Sequence, residues 1–386
     1  MSWSLKSSGC CNKRRAGRYN GKMAEPNRLQ TPEQLAAVLN QLLEHKVSDI
    51  YICAGQTIHV RTNGEVRPTS ITAPEEAVLV AFLNQAGDTA IKGAITSAET
   101  CPEGSVDGAI TCDGRRYRFN LYRALDGQTL RQTARISLRP LSDHIPAPEE
   151  IQLDLRTVQT IEAFRQGLVL VCGKTGQGKS TTLASLLQHR AATFAEHIIT
   201  LEQPIEYVLR SERSVISQRE VGISVSTFAY GLRAALRQNP DCILVGEIRD
   251  YETAEIALRA AESGHVVFCT LHTANAAQSI ERLVNMFPAA EQMSAWNVLS
   301  TTLKAVICQI LVNAHEEGRL AAREILLTND GVASYIRQKD LQGVRRAIES
   351  GYGQFGMQNW QKAAELLYRQ GMIDDEARKQ IIAMGS

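Results

Sequence analysis

The sequence predicts an α/β protein in which a mainly parallel sheet follows a smaller α+β module. Three observations indicate this fold class. Apolar strands alternate with helical segments between residues 167 and 270, as in parallel sheets with helices on both faces. One of these strands runs through a glycine-rich loop into a helix, over 167–189. Before residue 140, short β-type runs separated by turns replace the alternation, so we expect two domains within the 386 residues.

The first 140 residues predict a lead-in followed by a compact module. Residues 1–29 are rich in Ser, Gly, Lys and Arg without periodicity, so we expect disorder there, and Met23 is an alternative start. From Asn27 to His45 the spacing is that of an amphipathic helix, with Pro32 in its first turn. The N-terminal domain is expected over 30–140. Its further elements are β-type runs over 49–53, 58–61 and 115–121 and a helical pattern in parts of 74–95.

Prolines at 140, 146 and 148 indicate a linker over 141–150. The core of the second domain is expected over 151–288, and the pattern from 289 to 386 is helical only. The predicted strands of the core are 167–172, 197–201, 242–246 and 265–270, and its predicted helices are 179–192, 226–238 and 252–263.

Composition excludes several classes of protein. The formal charge is only +1, which argues against a protein that mainly neutralises nucleic-acid phosphates. The nine cysteines include no Cys-x-x-Cys pair, so a zinc ribbon is not expected, and the odd number fits a reducing compartment. The basic N-terminus lacks the apolar segment of a secretory signal, and no apolar run is long enough to span a bilayer. We therefore expect a cytoplasmic protein.

The glycine-rich loop predicts a phosphate-binding site. It has the pattern Gly-x-x-x-x-Gly-Lys-Ser between a strand and a helix, in which backbone N–H groups and the helix N-terminus surround phosphate oxygens. Lys179 is expected to reach the β- and γ-phosphates of ATP, and the Ser180 hydroxyl to bind Mg²⁺. The alternative is a structural turn. The candidate nucleotide-binding residues are Gly173, Thr175, Gly176, Gln177, Gly178, Lys179, Ser180 and Thr181.

Polar side chains follow three further predicted strands and are candidates for catalysis. Glu247 follows an apolar strand and is expected to help hold Mg²⁺ and to orient or deprotonate the attacking water. Glu202 ends a second strand and is a candidate for the Mg²⁺ shell, the alternative being a solvated acid. His272 ends a third strand and could sense the γ-phosphate, the alternative being a structural histidine. All should meet at the carboxyl edge of one sheet.

Several longer runs resemble the secretion-ATPase superfamily, and most closely the PilT-like type IV pilus retraction ATPases. The likeness covers about 30–380, and its central motifs are specific. The runs are Gln218–Gly222, Leu232–Asp241, Ile243–Asp250, Glu262–His265 and Thr270–Thr273, with weaker likeness at Ser48–Ile52 and Gly356–Gln358.

This resemblance implies a PAS-like N-terminal domain, a RecA-like P-loop ATPase core and a C-terminal helical region. It implies a homohexameric, ATP-hydrolysing ring with ATP between the two domains. It also implies an inner-membrane platform protein as partner, peripheral membrane association only, and no nucleic acid. By the family's motifs, Glu247 is the Walker B glutamate, Glu202 and Glu206 fall in the Asp box, and His265 and His272 in the His box.

The resemblance further implies that arginines of the N-terminal domain contact the γ-phosphate. Arg118 and Arg135 are our candidates, with Arg116 and Arg123 in similar segments. A guanidinium spreads the charge of the transferring phosphoryl group, and the alternative is a solvated strand residue.

Two departures from the family pattern leave more than one function open. Gln203 stands where the family usually has Asp, and 332–337 matches the Ala-Ile-Arg-Asn-Leu-Ile stretch of retraction ATPases poorly. Pilus retraction is the favoured function. The competing functions are an ATPase of type IVB secretion or plasmid conjugation, a nucleotide-gated regulator, and a nucleic-acid translocase, which the near-neutral charge and the lack of basic–aromatic interleaving oppose.

Overall fold

A computed structural model describes residues 28–44, 47–62, 65–86, 105–127, 130–142, 144–316 and 318–385. The predicted lead-in and the predicted helical pattern beyond 86 lie outside these residues. Contacts divide the described chain into two units. One contains the described ranges up to residue 86, 105–107 and 119–140, and the other contains 108–118 and the chain from 141 onward. The predicted domain boundaries and the linker at 141–150 stay predictions.

The first sheet has six strands: β1 Val47–Cys53, β2 Thr57–Thr62, β3 Glu65–Thr72, β4 Ser105–Cys112, β5 Arg115–Leu125 and β6 Gln132–Pro140. Their order in the sheet is β3-β2-β1-β6-β5-β4, and β1 pairs antiparallel with both β2 and β6. A helix at Pro32–Leu43 begins with a capping box, in which the Thr31 side chain and Gln34 satisfy each other's backbone N–H groups. A second helix spans Glu76–Ala86.

The second sheet has seven strands: β7 Gly167–Cys172, β8 His197–Glu202, β9 Val215–Glu220, β10 Cys242–Val245, β11 Val266–Leu271, β12 Leu303–Asn313 and β13 Arg319–Leu327. Their order in the sheet is β13-β12-β7-β11-β10-β8-β9. All neighbouring pairs are parallel except β12 with β13. The central strands are apolar throughout because helices cover both faces of a parallel sheet, and every residue of β7, β10 and β11 is buried.

Helices surround the second sheet and form its core with the apolar strands. Within the described residues, every helix is too short or too polar to cross a membrane. The helices are Leu155–Glu162, Lys179–Thr193, Phe228–Ala235, Tyr251–Glu262, Ala276–Val284, Gln292–Thr302, Asp330–Arg337, Leu341–Ser350, Tyr352–Phe355, Trp360–Arg369 and Asp375–Ile382.

The expectation that only helices follow residue 289 is wrong. Residues 303–313 and 319–327 form β12 and β13, which extend the sheet beyond β7. Both strands are buried along most of their length, so they lack the alternation that marks a half-exposed strand. An apolar run of this kind cannot be distinguished from a buried helix by periodicity.

Glu324 of β13 is a buried acid whose titration should affect stability. Its side chain is 7 % exposed and accepts a hydrogen bond from the Ala276 N–H at 2.7 Å. Burial raises the pKa of Glu324 to about 7, although this hydrogen bond and the charge of Arg345 oppose the rise. As the pH rises from about 4.5 toward 7, the unfolded chain loses this proton first, so the folded state loses stability.

We therefore expect Glu324→Gln to stabilise the protein more at pH 8 than at pH 5. The amide cannot ionise but keeps an acceptor for the Ala276 N–H. The gain in the free energy of unfolding should grow by at most about 3 kcal/mol between the two pH values, measured by urea unfolding. Glu316→Gln changes an exposed acid and should give no pH-dependent gain. An equal effect of Glu324→Gln at both pH values would contradict this account.

Candidate nucleotide-binding site

The glycine-rich loop lies where the sequence predicts it, between β7 and the helix Lys179–Thr193. Gly173, Gly176 and Gly178 all have positive φ, at 148°, 79° and 78°, which L side chains rarely adopt. Gly173 also has no room for a side chain, because a Cβ there would lie 2.6 Å from the Gln309 carbonyl oxygen. Glycine is required at these positions by backbone conformation and, at Gly173, by close approach as well.

The end of this loop suits an anion. The helix begins at Lys179, and Gly178 at the N-cap provides no side chain to cap its first N–H groups. Those donors and the helix dipole favour phosphate. The Lys179 ammonium donates to the carbonyl oxygens of Gly173 at 2.7 Å and Lys174 at 3.1 Å, so it is held against the loop. Burial lowers the pKa of Lys179, and the charges of Glu247 and other acids oppose this.

Other predicted loop residues have internal partners. The Gln177 side-chain oxygen accepts a hydrogen bond from the Leu311 N–H at 2.5 Å. The Thr181 hydroxyl is 2.9 Å from the Tyr207 hydroxyl.

Thr175 is exposed, and Ser180 is half-buried in the first turn of the helix. The backbone of the loop, together with Lys179 and Ser180, is therefore the part best placed to meet a ligand.

Glu247 follows β10 at the same edge of the sheet as the loop, with β11 between β10 and β7. One carboxylate oxygen is 2.6 Å from Arg249 Nη2, and the other is 2.9 Å from His272 Nε2. Burial alone would raise the pKa of Glu247. The hydrogen bond and charge of Arg249, with the charges of His272 and Lys179, outweigh burial and lower that pKa. Glu247 is therefore ionised near neutral pH and accepts hydrogen bonds.

The two histidines of the predicted His box lie at opposite ends of β11. His272 follows the carboxyl end, is 42 % exposed and contacts Glu247. His265 precedes the amino end, and its Nδ1 is 3.0 Å from the Ala260 carbonyl oxygen. The structure therefore brings His272, but not His265, to the carboxyl edge of the sheet.

Glu202 ends β8 and is held by neighbouring polar groups. Its Oε1 accepts hydrogen bonds from Thr200 Oγ1 at 2.7 Å and Gln218 Nε2 at 3.1 Å. Burial raises the pKa of Glu202 to about 7; these hydrogen bonds oppose the rise, and the charges of Glu206 and Glu220 add to it. This carboxyl group can hold or release a proton near neutral pH, which distinguishes it from Glu247.

The predicted arginines are found in different units. Arg118 belongs to the second unit, where its Nη1 lies 3.8 Å from Glu206 Oε1 with the guanidinium half-exposed. Arg116, in the same unit, pairs with the buried Glu220 at 2.5 Å. Arg135 belongs to the first unit and donates to the Leu125 carbonyl oxygen at 3.3 Å.

The donors at the sheet edge fit Mg²⁺ that is shared with phosphates. No cluster of three or more His, Cys, Asp or Glu side chains within the described ranges could hold a metal ion alone. Mg²⁺ in such sites usually keeps waters and takes one or two protein oxygens plus phosphate oxygens. Ser180, in the first turn after the loop, and Glu247 are the residues that would hold it.

Sequence reasoning missed three contacts at this site. Arg249 belongs to the run Ile243–Asp250, but its ion pair with Glu247 was not predicted. Tyr207 contacts Thr181, and Gln309 contacts the loop from β12. Only the proximity of Arg249 to Glu247 in the sequence could have suggested one of these contacts.

A mainly parallel sheet with a phosphate loop after one strand and a carboxylate after another defines a P-loop nucleotide-binding protein with a RecA-like core. The family model described as type II/IV secretion system protein matches residues 130–364. The chain belongs to this family.

Relatives support the same assignment along nearly the whole chain. The chain is 36% identical over 333 residues to the uncharacterized protein YggR of Escherichia coli K12, covering 86% of this chain and 97% of that protein. It is 36% identical over 330 residues to the type IV pilus retraction ATPase PilT of Pseudomonas aeruginosa, covering 85% of this chain and 92% of that protein.

Solved structures have the same fold. The pilus retraction motor PilT with bound ADP matches with a TM-score of 0.78 and 34% identity, over 92% of this chain and 97% of that one. The ATPase DotB of Legionella pneumophila matches with a TM-score of 0.79 and 29% identity, over 94% of this chain and 99% of that one.

Proposed function

We propose that this protein hydrolyses ATP as a subunit of a motor that drives type IV pilus dynamics, most directly pilus retraction. The observation that carries the proposal is the placement of the phosphate loop and Glu247 at one edge of the sheet. The 36% identity to PilT over 92% of that protein supports the pilus as the machine.

In the proposed reaction, the loop amides and Lys179 bind the phosphates of ATP. Mg²⁺, when bound by Ser180 and Glu247, would neutralise charge on the β- and γ-phosphates. Glu247 orients the attacking water by accepting its hydrogen bond. Its lowered pKa makes it a weak proton acceptor but keeps it ionised, while Arg249 and His272 fix its two oxygens. His272 is then placed to respond to the γ-phosphate through Glu247.

Arg118 is the arginine that we propose for the γ-phosphate. Its 3.8 Å separation from Glu206 leaves the guanidinium able to exchange partners, in contrast to the tight Arg116–Glu220 pair. We expect Arg118→Ala to lower kcat about tenfold, as expected for the loss of one hydrogen bond to a charged group, with little change in the Kd for ATP. Arg115→Ala replaces an exposed arginine of the same strand and serves as the control. Equal losses in kcat and in affinity would make Arg118 a binding residue instead.

The likeness to this family supports a proposal for the assembly. We infer a homohexameric ring in the cytoplasm, at the face of the inner membrane, that acts on a platform protein of the pilus. Nucleic acid is not an expected partner.

The test is genetic and enzymatic together. The purified protein should hydrolyse Mg-ATP, and its gene should restore twitching to Pseudomonas aeruginosa that lacks PilT. Hydrolysis without restored motility would point to the second candidate, a secretion ATPase. The match of residues 130–364 to the type II/IV secretion system family model and the poor match of residues 332–337 to the retraction motif favour that candidate over a nucleotide-gated regulator or a nucleic-acid translocase. An absence of hydrolysis would contradict both the pilus motor and the secretion ATPase.

A further inference from the structure

Gln309 of β12 is a buried polar residue that the proposed reaction does not use. Its side chain lies among apolar strands and is 1 % exposed. β12 runs parallel to β7, and the last pair in register is Cys308 with Cys172. Gln309 is thus the first residue of β12 beyond the end of β7, beside the place where the phosphate loop begins.

The amide of Gln309 connects the end of the loop to the helix that follows it. Its Nε2 donates to the Gln177 carbonyl oxygen at 2.6 Å. Its Oε1 accepts from the Thr182 hydroxyl at 2.8 Å, in the helix that follows the loop. The Leu311 N–H donates in turn to the Gln177 side chain. Gln177 is therefore held by β12 at both its backbone carbonyl and its side chain.

A buried arginine fixes the direction of this hydrogen-bond chain. Arg323 is directly opposite Gln309 in the β12–β13 register and is 3 % exposed. Its Nη2 donates to the Thr182 hydroxyl at 3.3 Å, and its Nη1 donates to the carbonyl oxygens of Ile151 at 2.7 Å and Gln152 at 3.2 Å. An arginine can only donate, so Thr182 accepts from Arg323 and donates to Gln309.

The other end of the chain is equally constrained. The Gln177 carbonyl can only accept, so it requires the N–H of the Gln309 amide and not the oxygen. Rotating the Gln309 amide by half a turn would set two acceptors against each other at Gln177. It would also leave the Thr182 hydroxyl without its acceptor at Gln309. Both ends therefore select one orientation of the Gln309 side chain.

The consequence for the loop follows from peptide geometry. The 177–178 peptide is trans, so the Gln177 C=O and the Gly178 N–H point in opposite directions. With the carbonyl tied to Gln309, the Gly178 N–H points away from β12. Turning this peptide over would change ψ of Gln177 and φ of Gly178, and a glycine adopts positive and negative φ about equally well. The contacts with Gln309 and Leu311 therefore oppose such a turn.

We propose that Gln309, oriented by Thr182 and Arg323, is a positioning residue that keeps the Gly178 N–H directed at a bound phosphate. This inference rests on the proposed function, because it gives Gln309 a role in shaping the loop that would bind the nucleotide. Loop amides contact the α- and β-phosphates, which ATP and ADP share. Loss of the Gln309 side chain should therefore weaken the binding of ATP and of ADP alike. It should lower kcat/KM mainly by raising KM.

The test compares Gln309→Met with Gln188→Met. Gln188 lies on the same helix as Thr182 and makes two hydrogen bonds to the Arg210 backbone, far from the loop. We expect Gln309→Met to raise the Kd for ADP and for ATP, and KM, about tenfold or more, with a smaller change in kcat. Gln188→Met removes hydrogen bonds from the same helix that do not reach the loop, and it should keep wild-type affinity for both nucleotides. Wild-type affinity in Gln309→Met would overturn the proposal.

Thr182 provides an independent pair of variants. Thr182→Ser keeps the hydroxyl that orients Gln309 and should bind ADP as the wild type does. Thr182→Val removes the hydroxyl and should bind ADP more weakly. This pair decides the question if Gln309→Met does not fold, because equal affinities in the two variants would overturn the proposal.

Amide hydrogen exchange separates this inference from the proposed function. Without added nucleotide, exchange over the segment 174–178 should be faster in Gln309→Met than in the wild type or in Gln188→Met. Unchanged exchange would overturn the positioning role even in a protein that hydrolyses ATP. The opposite result is also distinguishable. If the wild-type protein bound no nucleotide but Gln309→Met still exchanged faster, the proposed function would be contradicted and the positioning role would stand.

Discussion

Lys179→Ala is expected to remove nucleotide binding and with it hydrolysis. The ammonium donates to the carbonyl oxygens of Gly173 and Lys174, so the loop already places it beside the glycine amides that would surround the phosphates. Two charge-assisted hydrogen bonds to phosphate, each worth about 1.5–3 kcal/mol, correspond to a loss of at least about a hundredfold in kcat/KM. Titration with a fluorescent ADP analogue and a steady-state ATPase assay measure the two effects.

Lys174→Ala is the matched control for this prediction. Lys174 lies in the same loop and carries the same charge, but its side chain is exposed. Its removal tests whether general positive charge, rather than a directed contact, supports binding. Similar losses in the two variants would show that Lys179 has no special role.

Glu247→Gln is expected to stop turnover while nucleotide binding survives. The variant keeps the size of the side chain but loses the charge that Arg249 and His272 stabilise and that we propose orients the attacking water. Removing a group of this kind lowers kcat about 10²–10⁴-fold. The Kd for ATP should stay the same or fall, because one negative charge near the phosphates disappears. Single-turnover hydrolysis and equilibrium binding separate the two effects.

Glu252→Gln is the control for Glu247. Glu252 is also a glutamate paired with an arginine, Arg233 at 2.6 Å, but it is exposed on the helix Tyr251–Glu262. Its loss should leave kcat unchanged. Wild-type turnover in Glu247→Gln would remove Glu247 from the mechanism, and a parallel loss of ATP binding would make it a residue that binds Mg-ATP instead of the one that orients the water.

The parts of the site that depend on local sequence could be predicted. The phosphate loop requires glycines and a lysine at fixed spacing between a strand and a helix, and the structure has this arrangement at 173–180. Glu247 and His272 follow buried strands, and parallel strands bring such residues to one edge. Their contact at 2.9 Å is consistent with that expectation.

The parts that depend on distant segments could not be predicted. Gln309 reaches the loop only because β12 pairs with β7, and the apolar run of β12 gave no strand signal. β9 was missed for the opposite reason, since its polar residues are half-buried at the sheet edge and show no alternation. The buried Arg323 donates to backbone carbonyls and to Thr182, and these contacts likewise depend on strand pairing and leave no mark on the local sequence.

Hydrogen exchange of the wild-type protein with and without Mg-ADP tests the central claim most directly. A nucleotide held on the loop amides should slow exchange over 173–182 more than in any other segment. Protection that is absent there, or that is concentrated elsewhere in the chain, would contradict the assignment of the nucleotide site.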